Sequence, residues 1–499
     1  MVDPFFQSTK KRKRPSNNGR GRGGSGSSRL PRASKEQVQE ARDEELSSAD
    51  EGGLEAIDDI DFQKDRAPHT LDDADFVDAN ETAAEKRVRL ARGYLDKVRA
   101  EVAAQRETGD YDAEEIDREL IASRLRQEVD EAEGRIHRFY SAAEASGSRF
   151  KSTQHPPTGI AMTATGRIYT SMKNGSVLRF DRETLEHRPL RVEGGGHKGA
   201  VLCVAASEDG KWVVTGGQDK IVGVWDMSGD EPRWAAGMRG HKDAVSSVVI
   251  PPLANASAHI LSASLGRHLT LHSLSTLSAL DTFFGHQDSI TSVSALKPTA
   301  CVTAGSRDRT CRWWKVEEEV QLVLRSGGKT KADGREFFEG SVDVVCALDD
   351  SHFVSGGDSG TLAFWSTGKK KPQFSHHLAH GLDTDGRNLF PSTVEPSPRW
   401  ITALAAIRGT NIVVSGSWDG RIRFWAIDSN LRSFKPAGEI AVDGFVNDIQ
   451  ILALPEGVVL VAAIGKEPRL GRWLTLDAAK NGVFVAKVDL TVAEEVDDE

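Results

Sequence analysis

Between Phe180 and Trp473 the chain seven times ends a short alternating run on a large ring or a histidine. The ends are Phe180, Trp225, His272, Trp314, Trp365, Trp425 and Trp473, at intervals of 45, 47, 42, 51, 60 and 48 residues. The most complete copy opens on Gly196-His197. It continues through Val213-Val214-Thr215-Gly216-Gly217-Gln218-Asp219 and closes on Val224-Trp225-Asp226. Apolar alternation with period two marks a half-buried strand. A repeat of this length is a supersecondary unit that cannot bury its own face and must stack on its neighbours.

A Gly-His start and a Trp-Asp end at roughly 40–45 residues is the mark of WD-type propeller blades. The sequence therefore predicts an all-β fold, a seven-bladed WD-repeat β-propeller over residues 150–491. Each blade needs four antiparallel strands, the outermost short and edge-exposed. In the second repeat His197, Thr215, Asp219 and Trp225 form the polar network of the blade, and in the fourth His286, Asp308 and Trp314, with Ala304 at the hydroxyl position. The sixth keeps Ser415, Asp419 and Trp425. The third keeps His241 and Ser262 but has Gly266 for Asp and His272 for Trp. The fifth has Ser355 and Trp365 with Ser359 at the Asp position, and neither it nor the sixth has the Gly-His start. A His, a hydroxyl and an Asp invite a catalytic-triad reading. In WD repeats they chain inward to the Trp N–H, satisfying buried polar atoms. Phe180 and Trp473 anchor the degenerate first and seventh blades. Val483 to Leu490 can supply the last outer strand, so closing the ring does not require an N-terminal strand.

All ten Trp lie at or after Trp212, and the residues before the repeats differ in kind. Residues 1–35 carry ten Lys/Arg and one acid, whereas residues 36–81 carry seventeen acids and three bases. Residues 1–80 read as a disordered tail, basic then acidic, with too little apolar surface to bury. Within it Lys10, Lys11, Arg12, Lys13 and Arg14 form a dense basic block of the nuclear-import kind. Gly19-Arg20-Gly21-Arg22-Gly23-Gly24 is a short segment suited to phosphate pairing and base stacking. Residues 81–145 predict a helical extension. Thr82 with Glu85 makes a capping box, and Val88, Ala91, Leu95, Val98 and Val102 share one face. Asp112 with Glu115 starts a second helix whose apolar side is Ile116, Leu120, Leu125, Val129, Ala132 and Ile136. The two amphipathic helices pack on each other or fill a partner's groove. Residues 492–499 are an acidic tail.

Four scattered cysteines, Cys203, Cys301, Cys311 and Cys346, make no Cys-x-x-Cys pair and read as buried free thiols of a reducing compartment. No apolar run reaches the ~18 residues of a membrane span, and there is no signal-peptide core. The expectation is an intracellular, soluble chain with no membrane contact. Two insertions interrupt the repeats: Arg325 to Arg335, and Gly368 to Arg399 with Lys369-Lys370-Lys371-Pro372 and the histidines His376, His377 and His380. Those histidines lack a second ligand pair, so they predict a loop rather than a metal site. No P-loop, nucleophile elbow or metal constellation is present, which points to no catalysis, no cofactor and no small-molecule substrate.

Some local strings are more specific. They are Ser306-Arg307-Asp308-Arg309-Thr310-Cys311-Arg312, Phe353-Val354-Ser355-Gly356-Gly357-Asp358, Ala379-His380-Gly381 after the lysine run, Gly444-Phe445-Val446-Asn447 and Arg469-Leu470-Gly471-Arg472-Trp473. Upstream, Glu81-Thr82-Ala83-Ala84-Glu85-Lys86 and Leu90-Ala91-Arg92-Gly93-Tyr94-Leu95 belong with them. In this order they resemble the family of U3 small nucleolar RNA-interacting WD-repeat proteins, components of the box C/D small nucleolar ribonucleoprotein, from about Glu81 to Leu490. The resemblance implies a nuclear, nucleolar scaffold that binds the box B/C region of U3 RNA beside the kink-turn-binding protein. It implies other box C/D core and small-subunit processome proteins as partners, and a role in ribosomal RNA processing towards 18S RNA and the small subunit. A protein-only WD adaptor in another nuclear complex is the competing reading, since fold alone does not separate the two. A net charge of −10 does not exclude RNA, because phosphate contact depends on local Lys/Arg density. The expected contacts are Arg307, Arg309 and Arg312 in one turn and strand, Lys369, Lys370 and Lys371 after the next Trp, and Arg421 and Arg423 in the sixth repeat. Alternation sends some of these to opposite faces.

Overall fold

The computed structural model describes residues 113–492 apart from 191–194, 230, 252–258, 327–328, 333–334 and 384–396, together with Arg89, Gly93 and Tyr94, which are helical. The basic block at residues 10–14, the Gly-Arg segment, the acidic stretch, nearly all of the first expected helix and residues 493–499 lie outside the described residues. The chain divides into two units, Met1–Asp110 and Tyr111–Glu499, and the propeller belongs to the second.

The second expected helix runs Ala113–Glu133. Gly134 ends it with a positive φ of 68°, the left-handed cap that glycine adopts without a Cβ clash. Its apolar stripe is not all covered, since Val129 is 52% exposed. Ile136 lies past the helix and packs against the core between the fifth and sixth blades.

Seven four-stranded antiparallel sheets form the blades. The second is typical, with Val201–Ala206 innermost, then Trp212–Gly217, Ile221–Asp226 and Arg233–Arg239 at the edge. The apolar alternation faces both neighbours, so the core is a ring of inter-blade clusters. Val213, Trp225 and Tyr169 fill the seam between blades one and two. Val214, Val224 and Ile260 fill the next, and the series continues around to Val461, Val483 and Ile168 between blades seven and one. Blades with poor polar networks are held by this packing, as Phe180 shows, fully buried in the first blade.

The ring closes differently from the sequence expectation. Gly482–Val492 is the third strand of the last blade, after Phe445–Leu454 and Gly457–Gly465. The outer strand comes from the N-terminal side, Tyr140–Ser152, which pairs Ala143 with Leu490 and Phe150 with Phe484. The propeller therefore begins at Tyr140, ten residues before the expected boundary. The physical reason is burial: Val483, Val485, Ala486 and Val488 are buried, as a third strand requires, and leave the edge to a polar strand. Tyr140 is pinned by Asn411, whose Oδ1 accepts its N–H at 2.8 Å while Nδ2 donates to its carbonyl at 3.0 Å. At Gly438 the closing strand comes so close that an added Cβ would lie 2.0 Å from the Ala143 carbonyl oxygen. Trp473 is not a strand residue. It sits in the connection between the second and third strands of the last blade, 39% exposed.

Candidate nucleic-acid interface

The polar network of the blades fixes the turns that carry the candidate bases. In the second blade Trp225 Nε1–H donates to Thr215 Oγ1 at 3.1 Å, and Thr215 Oγ1 lies 2.8 Å from His197 Nε2. His197 Nδ1 lies 3.0 Å from Asp219. The carboxylate can only accept, so His197 Nδ1–H donates to Asp219, and the chain of contacts runs from Trp through Thr and His to Asp. The fourth blade repeats this through Trp314, Thr303, His286 and Asp308, at 2.8, 2.7 and 2.7 Å. Its hydroxyl is thus Thr303 and not Ala304, one residue from the expected position. The sixth blade has its histidine after all: His380 Nδ1 is 2.9 Å from Asp419 and Nε2 is 2.8 Å from Ser415, which also receives the Trp425 N–H at 2.8 Å. The fifth blade keeps only Trp365 to Ser355, at 2.8 Å. There Ser359 Oγ has no partner, and Asp358 rather than Ser359 receives the Gly340 N–H at 2.9 Å.

The third blade builds the same chain from histidines. His268 Nδ1 contacts the Gly266 carbonyl at 3.0 Å, so it carries the proton and Nε2 accepts from His241 at 3.1 Å. His241 Nε2 then accepts from Ser262 at 2.6 Å, and Ser262 Oγ accepts from His272 at 2.7 Å. His268 stands for the Asp and His272 for the Trp. Burial, with His268 and His272 alongside, pushes His241 down to about 3; burial alone pushes His272 down to about 4. In all these chains the hydroxyls are buried: Thr215, Ser262, Thr303 and Ser415 are 0% exposed and Ser355 1%. They tie strands together and are shielded from solvent. His376 packs at a tilt against Trp425 with centroids 4.7 Å apart while His380 is in the sixth-blade chain, so the three loop histidines do not converge.

The fourth-blade turn, residues 306–309, holds Asp308 inward. Burial works to raise its pKa, but His286 and the Thr310 N–H and O–H hold it at about 2. Arg307 and Arg309 flank it, both exposed, and Arg309 has a left-handed φ of 54°. Arg312 is different: it is 8% exposed and its guanidinium donates to Gln321, so it belongs to the interior. Arg421 ion-pairs with Glu439. Arg423 reaches Asp419 at 3.1 Å and the Ala379 carbonyl, and is spent inside its own blade.

Lys369, Lys370 and Lys371 are exposed in the turn between the third and fourth strands of the fifth blade, at the opposite end from the turn type of Arg307 and Arg309. Strand twist leans outer strands across their blades and brings the two groups together. The edge residue Arg325 donates its N–H to the Lys370 carbonyl at 3.4 Å, and the next, Ser326, donates to the Arg309 carbonyl at 3.0 Å. Arg309, Arg325 and Lys370 thus meet at the seam of blades four and five. Among the described residues no carboxylate pairs with Arg307, Arg309, Arg325, Lys369, Lys370 or Lys371. The sequence pattern missed Arg325, because its role arises only where two blades touch.

Comparison with known proteins supports the fold independently. The family described as WD domain, G-beta repeat matches residues 189–226, 277–315 and 392–426. A WD repeat-containing protein of Schizosaccharomyces pombe is 38% identical over 85% of this chain and 88% of its own. Ribosomal RNA-processing protein 9 of Saccharomyces cerevisiae is 30% identical over 88% of this chain and 95% of its own. The solved structure of U3-55K superposes with a TM-score of 0.59 at 29% identity, covering 70% of this chain and all of the other.

Proposed function

Since the chain belongs to the family of U3 snoRNP-associated WD-repeat proteins that includes Ribosomal RNA-processing protein 9, we propose that it is a non-catalytic scaffold of the U3 particle that holds U3 RNA on its propeller. The observation that supports RNA contact is the seam of blades four and five, where six exposed cations lack an acidic partner among the described residues. Arg307 and Arg309 present forked donors that match phosphate oxygens, and Lys369 to Lys371 extend the same surface. Folded RNA is read through shape, phosphates and 2′-hydroxyls, which suits a rigid rim. The element we assign to it is the box B/C region. The kink-turn-binding protein would hold that RNA bent, so the propeller binds it more tightly than naked RNA. Other box C/D core and processome proteins complete the assembly that supports precursor processing towards 18S RNA in the nucleolus. Lys10 to Arg14 serve import, and replacing all five by Ala should raise the cytoplasmic fraction; unchanged nucleolar enrichment would assign import elsewhere.

The test is a titration of U3 box B/C RNA, with and without the kink-turn protein, against the parent chain and the Arg307→Ala, Arg309→Ala double variant. Each lost phosphate contact should lower the slope of log affinity against log salt by about 0.7–0.9. A double variant that melts like the parent yet keeps both affinity and salt slope refutes the seam as the RNA site. Parent protein that binds no RNA but still joins the processome proteins supports the protein-only adaptor.

A further inference from the structure

In six blades the turn from second to third strand has three or four residues; in the seventh it spans residues 466–481. This long connection folds over the mouth of the central channel. Arg469 Nη2 donates across the ring to the Thr291 carbonyl at 3.0 Å. Trp473 packs on Trp400 at 4.7 Å and edge-on to Trp418 at 5.6 Å and Phe445 at 5.9 Å. Between them remains a cavity of about 130 Å³ bounded by Trp400, Trp473, Arg469, Asp343 and Asn447. At ~30 Å³ per water that is room for roughly four waters, or the end of one side chain.

The lining is selective. Asn447 is 3% exposed, and its Nδ2 donates to the carbonyls of Pro157 at 2.8 Å and Glu467 at 3.0 Å. Those two acceptors fix the amide, and they leave Oδ1 as a buried acceptor with no donor. Asp343 accepts the Ser341 hydroxyl at 2.9 Å. Asp358 stands near Asp343, Asp448 lies on the channel wall, and Arg469 is the cation that opposes Asp343 and Asp448. Burial pushes both Asp343 and Asp448 up to about 6, a penalty that a further cation would relieve. Aromatic faces beside carboxylates favour a cation, and the same carboxylates repel phosphate.

We propose that this cavity receives the cationic end of one lysine or arginine side chain from an extended segment of a protein partner. The bound nitrogen donates to Asn447 Oδ1 and to Asp343, with Trp400 and Trp473 as walls. The site does not depend on the RNA reading: it lies at the ring's centre, whereas the unpaired bases lie at the rim.

The full chain, labelled with fluorotryptophan, is titrated by fluorine NMR with the blocked pentapeptide Gly-Ala-Arg-Ala-Gly, its Lys counterpart, and a citrulline counterpart that keeps the shape without the charge. A Trp473→Phe variant assigns the signal. The cationic peptides should shift the Trp473 signal and bind about tenfold more tightly than citrulline. Trp473→Ala should abolish the response and Asp343→Asn should weaken it about tenfold while melting like the parent. If Trp473→Ala does not fold, the near-isosteric Asp343→Asn decides alone. Equal binding of citrulline, no shift with any peptide, or an undiminished response in Asp343→Asn overturns the proposal. So does a short single-stranded RNA that moves the Trp473 signal when the peptides do not, which would make the walls a base-stacking site.

Discussion

The histidine chain of the third blade should make the propeller acid-sensitive in a way that one substitution can isolate. His241 is held at about 3 and His272 at about 4 in the folded protein, against ~6.5 unfolded. The unfolded chain therefore binds these protons first. Stability is full above pH 6.5, falls as pH drops below it, and stops falling once the folded values are reached. At pH 5 the solution lies about 1.5 units below the unfolded value of each ring, a loss of about 2 kcal/mol per ring at ~1.4 kcal/mol per unit. His272→Gln keeps an N–H to donate to Ser262 and cannot titrate. It should cost about 1–2 kcal/mol at pH 7.5 through lost packing, yet lose about 2 kcal/mol less than the parent between pH 7.5 and 5. Urea unfolding at four pH values measures this. The His286–Asp308 and His380–Asp419 pairs are common to both proteins and cancel in the difference. A gap between parent and variant that stays constant with pH, within about 0.5 kcal/mol, refutes the reasoning, because His272 would then titrate alike folded and unfolded.

Trp225→Ala should cost about 3–5 kcal/mol, since it empties a side chain only 3% exposed and strands Thr215; a melt matching the parent would contradict the second-blade network. His380→Ala should cost about 3 kcal/mol by leaving Asp419, 2% exposed, with only Arg423 and the Arg421 N–H as partners, read by denaturant midpoint against an exposed His377→Ala control. Gly438→Ala must push the Ala143 carbonyl away and should cost about 1–3 kcal/mol, seen as faster amide exchange around Ala143; unchanged exchange there would show that the closing strand yields freely.

The repeat of terminal rings made the propeller legible because a buried Trp on a third strand is both large and periodic. Its network was legible where spacing is regular, as at His197, Thr215 and Asp219. It failed where geometry outweighs spacing. His380 precedes Ser415 by 35 residues, against 18 for His197 and Thr215, so the loop beginning at Leu382 hid it. His268 replaces an aspartate from two residues beyond the expected position, which no pattern of residue types indicates. Trp473 sat at the right interval by chance of a long connection. The closing strand, Tyr-Ser-Ala-Ala-Glu onwards from Tyr140, needs only backbone partners and carries little apolar signal. Of the candidate bases, exposure and pairing separated Arg307 and Arg309 from Arg312, Arg421 and Arg423, and neither is written in a linear sequence.

Glu144 pairs with Asp489, 345 residues later. A ribosome adds roughly 5–20 residues per second, so the closing strand waits about 17–70 seconds for its mate to be made. Throughout that interval the first blade has an open flank where Ile160 and Phe180 will later meet Val461 and Val483. The nascent chain thus carries a timed hazard of mispairing or aggregation, and a chaperone that shields residues 140–180 during synthesis would act at the moment of greatest need.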